Sequence, residues 1–121
     1  MRGDEKRVVE AFKRHLETDG WSVTLEEDSI DLVARRGGET LIVEAKGRTT
    51  APSTDVDTLY GQLLRGMDRG LDESMQYVVL VPSEFVATAL RVPASVRQLL
   101  RIRVFAVDER GVVTEVADAS C

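Results

Sequence analysis

Ser29-Ile30-Asp31-Leu32-Val33-Ala34-Arg35, then Arg36-Gly37-Gly38, then Glu39-Thr40-Leu41-Ile42-Val43-Glu44-Ala45 leading into Lys46-Gly47, is the stretch that decides the fold. Two strand-like runs flank a glycine pair, and glycine accepts the positive φ that both central positions of a tight hairpin can require. With Gly37 and Gly38 as the turn, Arg36 faces Glu39, and counting back pairs Asp31 with Glu44. Directly opposed residues share a face, with Cβ atoms about 4.5–5.5 Å apart. Lys46 stands two residues beyond Glu44 and falls on that face as well, because side chains alternate with a period of two. The register therefore predicts two carboxylates and one ammonium side by side. Opposed carboxylates repel unless a cation lies between them or one takes up a proton. An oxygen-seeking divalent ion such as Mg²⁺ answers that need. With Lys46 placed to orient a water or to neutralise charge on a phosphate, the set suits metal-assisted phosphodiester hydrolysis.

Upstream, Asp4 to Thr18 predicts a helix, with Val8, Ala11, Phe12, His15 and Leu16 at helical spacing and Asp4 and Glu5 at its positive end. Asp19-Gly20 stops it, and Trp21 to Glu26 alternates as a first strand anchored by Trp21. Downstream, a loop from Arg48 to Ser53 leads to Thr54, which reads as an N-cap with Asp57 three residues on. The helix beyond carries Val56, Leu59, Tyr60, Leu63 and Met67 on one stripe and is expected to run to Gly70. Gln76 to Val81, closed by Pro82, is a continuous apolar run, as in a strand covered on both faces. Phe85 to Leu90 and Ala94 to Leu100 suggest short helices split at Pro93. Ile102 to Val107 and Val112 to Val116 form a last hairpin around Asp108-Glu109-Arg110-Gly111. The order predicts one α/β domain over residues 1–121, a mixed sheet with helices packed on it.

Composition narrows the chemistry. The chain has 121 residues, 43% of them hydrophobic and 31% charged, enough for one core without staples. One histidine, His15, and one cysteine, Cys121, exclude a thiolate zinc site and a double-histidine metal helix. Any metal would be held by oxygen. A net charge of -5 argues against non-specific coating of nucleic acid, though not against a local basic face. No apolar run approaches the roughly 20 residues of a membrane span, and the N-terminus leads into no signal-like apolar core. The expectation is a cytoplasmic protein with no membrane partner.

Asp31 followed across a hairpin by Glu44-Ala45-Lys46 resembles the signature of the PD-(D/E)xK nuclease superfamily, which includes many restriction endonucleases, Holliday-junction resolvases and RecB-type nuclease domains. Gln62, in Tyr60-Gly61-Gln62-Leu63-Leu64-Arg65, resembles the glutamine on the helix after the motif in related members, and the α-β-β-β-α-β order matches the superfamily core. The resemblance spans roughly the first 82 residues, with Ile30 where many members have proline. It implies a restriction-endonuclease-like fold and cleavage of DNA with Mg²⁺ or Mn²⁺ as cofactor. Asp31, Glu44 and the Ala45 carbonyl would ligate the ion, Lys46 would act on the attacking water, and Gln62 would help order the catalytic site. Members often add an acid from the first helix. Val9 occupies the position expected for it, which leaves Glu5 and Glu10 as candidates.

Arg48, Arg65 and Arg69 lie near the motif and are candidates for phosphate contact, and Arg91, Arg97, Arg101 and Arg103 form a stretch with no acid. The competing reading is that these arginines pair with the protein's own surplus carboxylates. A homodimer would supply a second site for the second DNA strand. Two other classes of function remain open at this level: a catalytically silent nuclease-fold module that binds nucleic acid or protein, and an interaction protein whose charged hairpin is only a docking face.

Overall fold

A computed structural model describes residues 3–69 and 73–117, with side chains at all of these but 68 and 69. Helix α1 spans Gly3–Thr18 and buries Val8, Val9, Ala11, Phe12 and Leu16, one stripe at helical spacing. Strands β1 (Ser22–Glu27), β2 (Ile30–Arg36) and β3 (Glu39–Ala45) follow as an antiparallel meander. Helix α2 (Pro52–Arg65) crosses over to β4 (Met75–Pro82), which runs parallel to β3. Short helices α3 (Val86–Ala89) and α4 (Ala94–Leu99) lead to β5 (Ile102–Val107), parallel to β4, and β6 (Val113–Glu115) closes antiparallel to β5. The strands lie in the order β1-β2-β3-β4-β5-β6, so the architecture is α/β, a six-stranded mixed sheet flanked by helices.

Two apolar cores cover the two faces. On one, Leu32, Ala34, Leu41, Val43 and Ala45 pack with Val78, Leu80, Phe105 and the stripe of α1. On the other, Val33, Ile42, Tyr77, Val79 and Val81 pack with Val56, Leu59, Tyr60 and Leu63 of α2. β4 is apolar on both sides because it is buried on both sides, which is how its sequence reads. Trp21 is buried as expected, and the Arg36 guanidinium lies 4.4 Å above its ring. No helix among the described residues is long and apolar enough to cross a membrane.

Three local expectations are corrected. The hairpin register matches the count, with Arg36 opposite Glu39, yet only Gly37 has a positive φ, of 60°. The turn thus follows the pattern that needs glycine at its first central position alone. Helix α2 begins at Pro52 rather than after Thr54, with proline filling a first-turn site whose N–H has no helical partner. It ends at Arg65, passing into a 3₁₀ turn over Gly66–Arg69, while Gly70 lies outside the described residues.

The exit of β3 is clamped to the start of α1. The Arg48 amide donates to Asp4 Oδ2 at 2.7 Å, and the Arg7 guanidinium holds the other oxygen of the same carboxylate at 2.7 Å. Gly47 runs so close to the helix that a Cβ there would overlap the Glu5 amide nitrogen and lie 2.6 Å from the Asp4 carbonyl carbon. Backbone cannot yield as a flexible side chain can. Gly47→Ala is expected to cost about 2–4 kcal/mol in a denaturant melt, whereas Gly38→Ala, where the space is open, stays within about 0.5 kcal/mol. Equal costs at the two positions would contradict the clamp.

Candidate functional site

The strand pleat explains where each predicted residue lies. From Arg36 to Leu32 on β2, alternation is regular: Leu32 and Ala34 face α1, and Val33 faces α2. Past Leu32 the phase reverses. Ile30, which regular alternation would send to the α1 side, packs in the α2-side core. On β1, Leu25 packs toward α1, Glu26 takes a left-handed backbone with φ 56°, and Glu27 then reaches Arg35 at 2.7 Å. Asp28 and Ser29 form the tip with φ values of 50° and 67°, as a two-residue turn with both central residues left-handed requires.

This reversal turns Asp31 toward the first helix. Its Oδ2 accepts a hydrogen bond from the Ala45 amide at 2.8 Å, beyond the last paired residues of the ladder, Leu32 and Val43. Asp31 lines a cleft with Glu5, Glu26, Ser29 and Ile30. Glu44 keeps the regular phase of β3, on the side of Ile42, and lines an adjoining cleft with Gln62 and Arg65 of α2. Ser29 and Ile30 belong to both clefts and stand between them. The expectation that Asp31 and Glu44 share one face is therefore corrected: the register is as counted, but the alternation is not.

Charge follows the same division. Burial pushes the Asp31 carboxyl above the ordinary aspartate range; the Ala45 amide and the Lys46 ammonium oppose that shift, and Glu26 adds to it. Burial also raises Glu5, with the charge of Asp31 next in weight and Lys46 opposing. Lys46 thus exerts its charge on the Asp31 cleft, its own amide tied to the Leu80 carbonyl at 3.0 Å. α1 starts early enough to place Glu5 in its first turn, and Glu5 rather than Glu10 lines the cleft. Glu44 is 7% exposed; only it and Arg97 are buried charged residues among those described.

The arginines favour the pairing reading. Arg48 meets Glu84 at 2.8 Å, Arg91 meets Asp57 at 3.0 Å, and Arg103 grips both oxygens of Glu115 at 2.7 and 2.8 Å. Arg97 is 3% exposed and donates to the Val92 carbonyl. Arg65 lines the Glu44 cleft, and the Arg69 side chain lies outside the described residues. Sequence reasoning did not single out Glu26, since glutamate carries no mark of a left-handed backbone.

Hard carboxylate oxygens on Glu5 and Asp31 suit Mg²⁺ or Mn²⁺, which binds through one or two carboxylates and keeps several waters. The count falls short of a cage: among the described residues, no group of three or more His, Cys, Asp or Glu could hold a metal ion. Of the ligand set the family resemblance implies, Asp31 and Glu44 look into different clefts, and Ala45 is linked to Asp31 through its amide.

No family model matches this chain, and no curated protein does. Two solved structures do. One is an XisH family protein from Nostoc punctiforme, 23% identical, aligned over 92% of this chain and 99% of its own with a TM-score of 0.61. The other is a FdxN element excision controlling factor protein from Anabaena variabilis, 21% identical over 93% of this chain and 99% of its own, also with a TM-score of 0.61. At these identities the likeness establishes a shared fold over most of the chain.

A carboxyl whose folded pKa is raised binds more protons in the folded than in the unfolded chain, so stability falls as pH rises through the window above the ordinary carboxylate value. Asp31→Asn and Glu5→Gln are each expected to melt above the parent at pH 8, with the gain shrinking as pH falls toward 4. A difference that stays constant across that range in thermal melts would contradict the assignment.

Proposed function

We propose that this chain is a metal-dependent nuclease of restriction-endonuclease-like fold, a cytoplasmic enzyme that hydrolyses phosphodiester bonds in DNA. The observation that carries the reading is the Asp31 cleft, where two carboxylates are partly buried beside each other within the field of one lysine. Two acids in that setting favour a divalent cation as their counter-charge. The element order α-β-β-β-α-β and the Glu44-Ala45-Lys46 motif at the end of β3 support the same reading. So does one structural neighbour, a FdxN element excision controlling factor protein.

Asp31 and Glu5 would hold Mg²⁺ or Mn²⁺, with Lys46 beside them. The ion would supply Lewis-acid polarisation of the scissile phosphate. Lys46 orients the attacking water and offsets negative charge gathering on the phosphate oxygens. The Ala45 amide fixes the Asp31 carboxylate, and the Gly47 clamp keeps Glu5 within reach of it. In the adjoining cleft Gln62 and Arg65 receive the flanking backbone, with Arg65 as the phosphate contact. Cutting both strands of a duplex calls for two such sites, which a homodimer supplies.

A second reading has its own support. The division of Asp31 from Glu44 and the lack of a three-acid group among the described residues fit a catalytically silent module that retains the fold and binds nucleic acid or protein. Incubating plasmid, single-stranded and branched DNA with Mg²⁺ or Mn²⁺ separates the two. Cleavage is expected to fall about 100-fold or more in Asp31→Ala and in Lys46→Ala. Cleavage surviving in both variants would overturn the site, and Mn²⁺ binding without cleavage of any substrate would favour the silent module. If calorimetry finds no stoichiometric Mn²⁺ binding, the charged hairpin is a docking face.

A further inference from the structure

We propose that Glu26 is a positioning residue whose left-handed backbone, not its carboxylate, commits Asp31 to the cleft of Glu5 instead of the cleft of Glu44. The inference rests on reading the Asp31 cleft as the active one. Two strands paired in unbroken register must present opposed residues to the same side. Register between β1 and β2 holds from Ser22 opposite Arg35 to Leu25 opposite Leu32, and again at Glu27 opposite Ile30. Between those matched pairs sit Glu26 and Asp31, and across them both strands change face together. An extended residue cannot do this, because an extended backbone inverts the side-chain direction at every step. A residue with φ near 56° can, and on β1 Glu26 is where it occurs, while Asp31, across the gap in the ladder, changes face with no positive φ of its own.

The consequence reaches both clefts. With residue 26 extended, regular alternation returns Asp31 to the side of Val33, Ile42 and Glu44 and sends Ile30 toward α1. With residue 26 left-handed, Asp31 shares a cleft with Glu5, and Ile30, in the same core as Leu63, stands between the two clefts. Residue 26 thus selects which acid partners Asp31. Glutamate has no intrinsic liking for this conformation, which glycine adopts freely and β-branched residues resist.

The test compares Glu26→Gly with Glu26→Val and Glu26→Ala, all of which lack the carboxylate, so any difference among them reports on the backbone. The chain has isoleucine only at 30, 42 and 102, so labelled methyl spectra follow Ile30 directly. Wild type and Glu26→Gly are expected to show Ile30 methyl contacts with Leu63. Glu26→Val is expected to lose them and to gain contacts with Val8 or Val9 of α1. Persistence of the Leu63 contacts in Glu26→Val would overturn the proposal. Should the valine variant fail to fold, thermal melts decide: Glu26→Gly is expected to melt roughly 4–8 °C above Glu26→Ala. An alanine variant at least as stable as glycine would overturn it.

A Mn²⁺ titration adds a reading that loss of stability alone would not move. Glu26→Gly should keep the wild-type affinity within about threefold, and Glu26→Val should lose about tenfold. Equal loss in both variants assigns the role to the carboxylate and overturns the proposal. If wild type itself takes up no Mn²⁺, the nuclease reading fails while the methyl contacts still decide whether Glu26 sets the phase.

Discussion

A β-strand can show each side chain to one face only, and the phase of that alternation is the constraint on which this site depends. Register and phase are separate properties. Register follows from turn length and from which apolar residues must be buried, and here it runs unbroken along β2 and β3 from Arg36 to Leu32. Phase can be reset by a single left-handed residue without any slip in pairing, and the tip of the first hairpin does so at Glu26. The reset moves Asp31 from the company of Glu44 to that of Glu5 and exchanges it for Ile30, an apolar residue the α2-side core can use. Burial of Ile30 favours the reset arrangement, while three non-glycine residues at positive φ within residues 26–29 oppose it.

The second requirement is that helix α1 arrive at the right height. Gly47 meets the backbone of Asp4 and Glu5 directly, and the Asp4 carboxylate, held below its ordinary pKa chiefly by Arg7, accepts the Arg48 amide. That clamp joins the chain just after the Glu44-Ala45-Lys46 motif to the first turn of the helix. Glu5 is thereby fixed over a cleft where its charge is disfavoured by burial and by Asp31. A partly buried pair of acids is an expensive arrangement for a fold to keep. Lys46 offsets part of that cost, and the divalent cation of the proposed reaction would offset more.

Most of the architecture was legible in the chain. The glycine pair announced the β2–β3 hairpin, the unbroken apolar run of 76–81 announced a central strand, and the helical stripes of α1 and α2 pointed to the faces they cover. Glu5 could be named as a candidate because its helical spacing places it one turn before Val9. The face of Asp31 was not legible: period-two counting assumes extended residues throughout, and Glu26 carries no local mark of the conformation it adopts. Nor was the start of α2, where Pro52 begins the helix ahead of the capping pattern at Thr54. The arginines of 91–103 read alike in sequence, yet packing takes Arg91 and Arg103 into ion pairs and Arg97 into the interior.

The most direct test is a crystal structure grown with Mn²⁺, with the ion located by its anomalous scattering. The account calls for a peak in contact with the carboxylates of Asp31 and Glu5, on the α1 side of the sheet. A peak bridging Asp31 and Glu44 on the α2 side, with Ile30 turned toward α1, would contradict it.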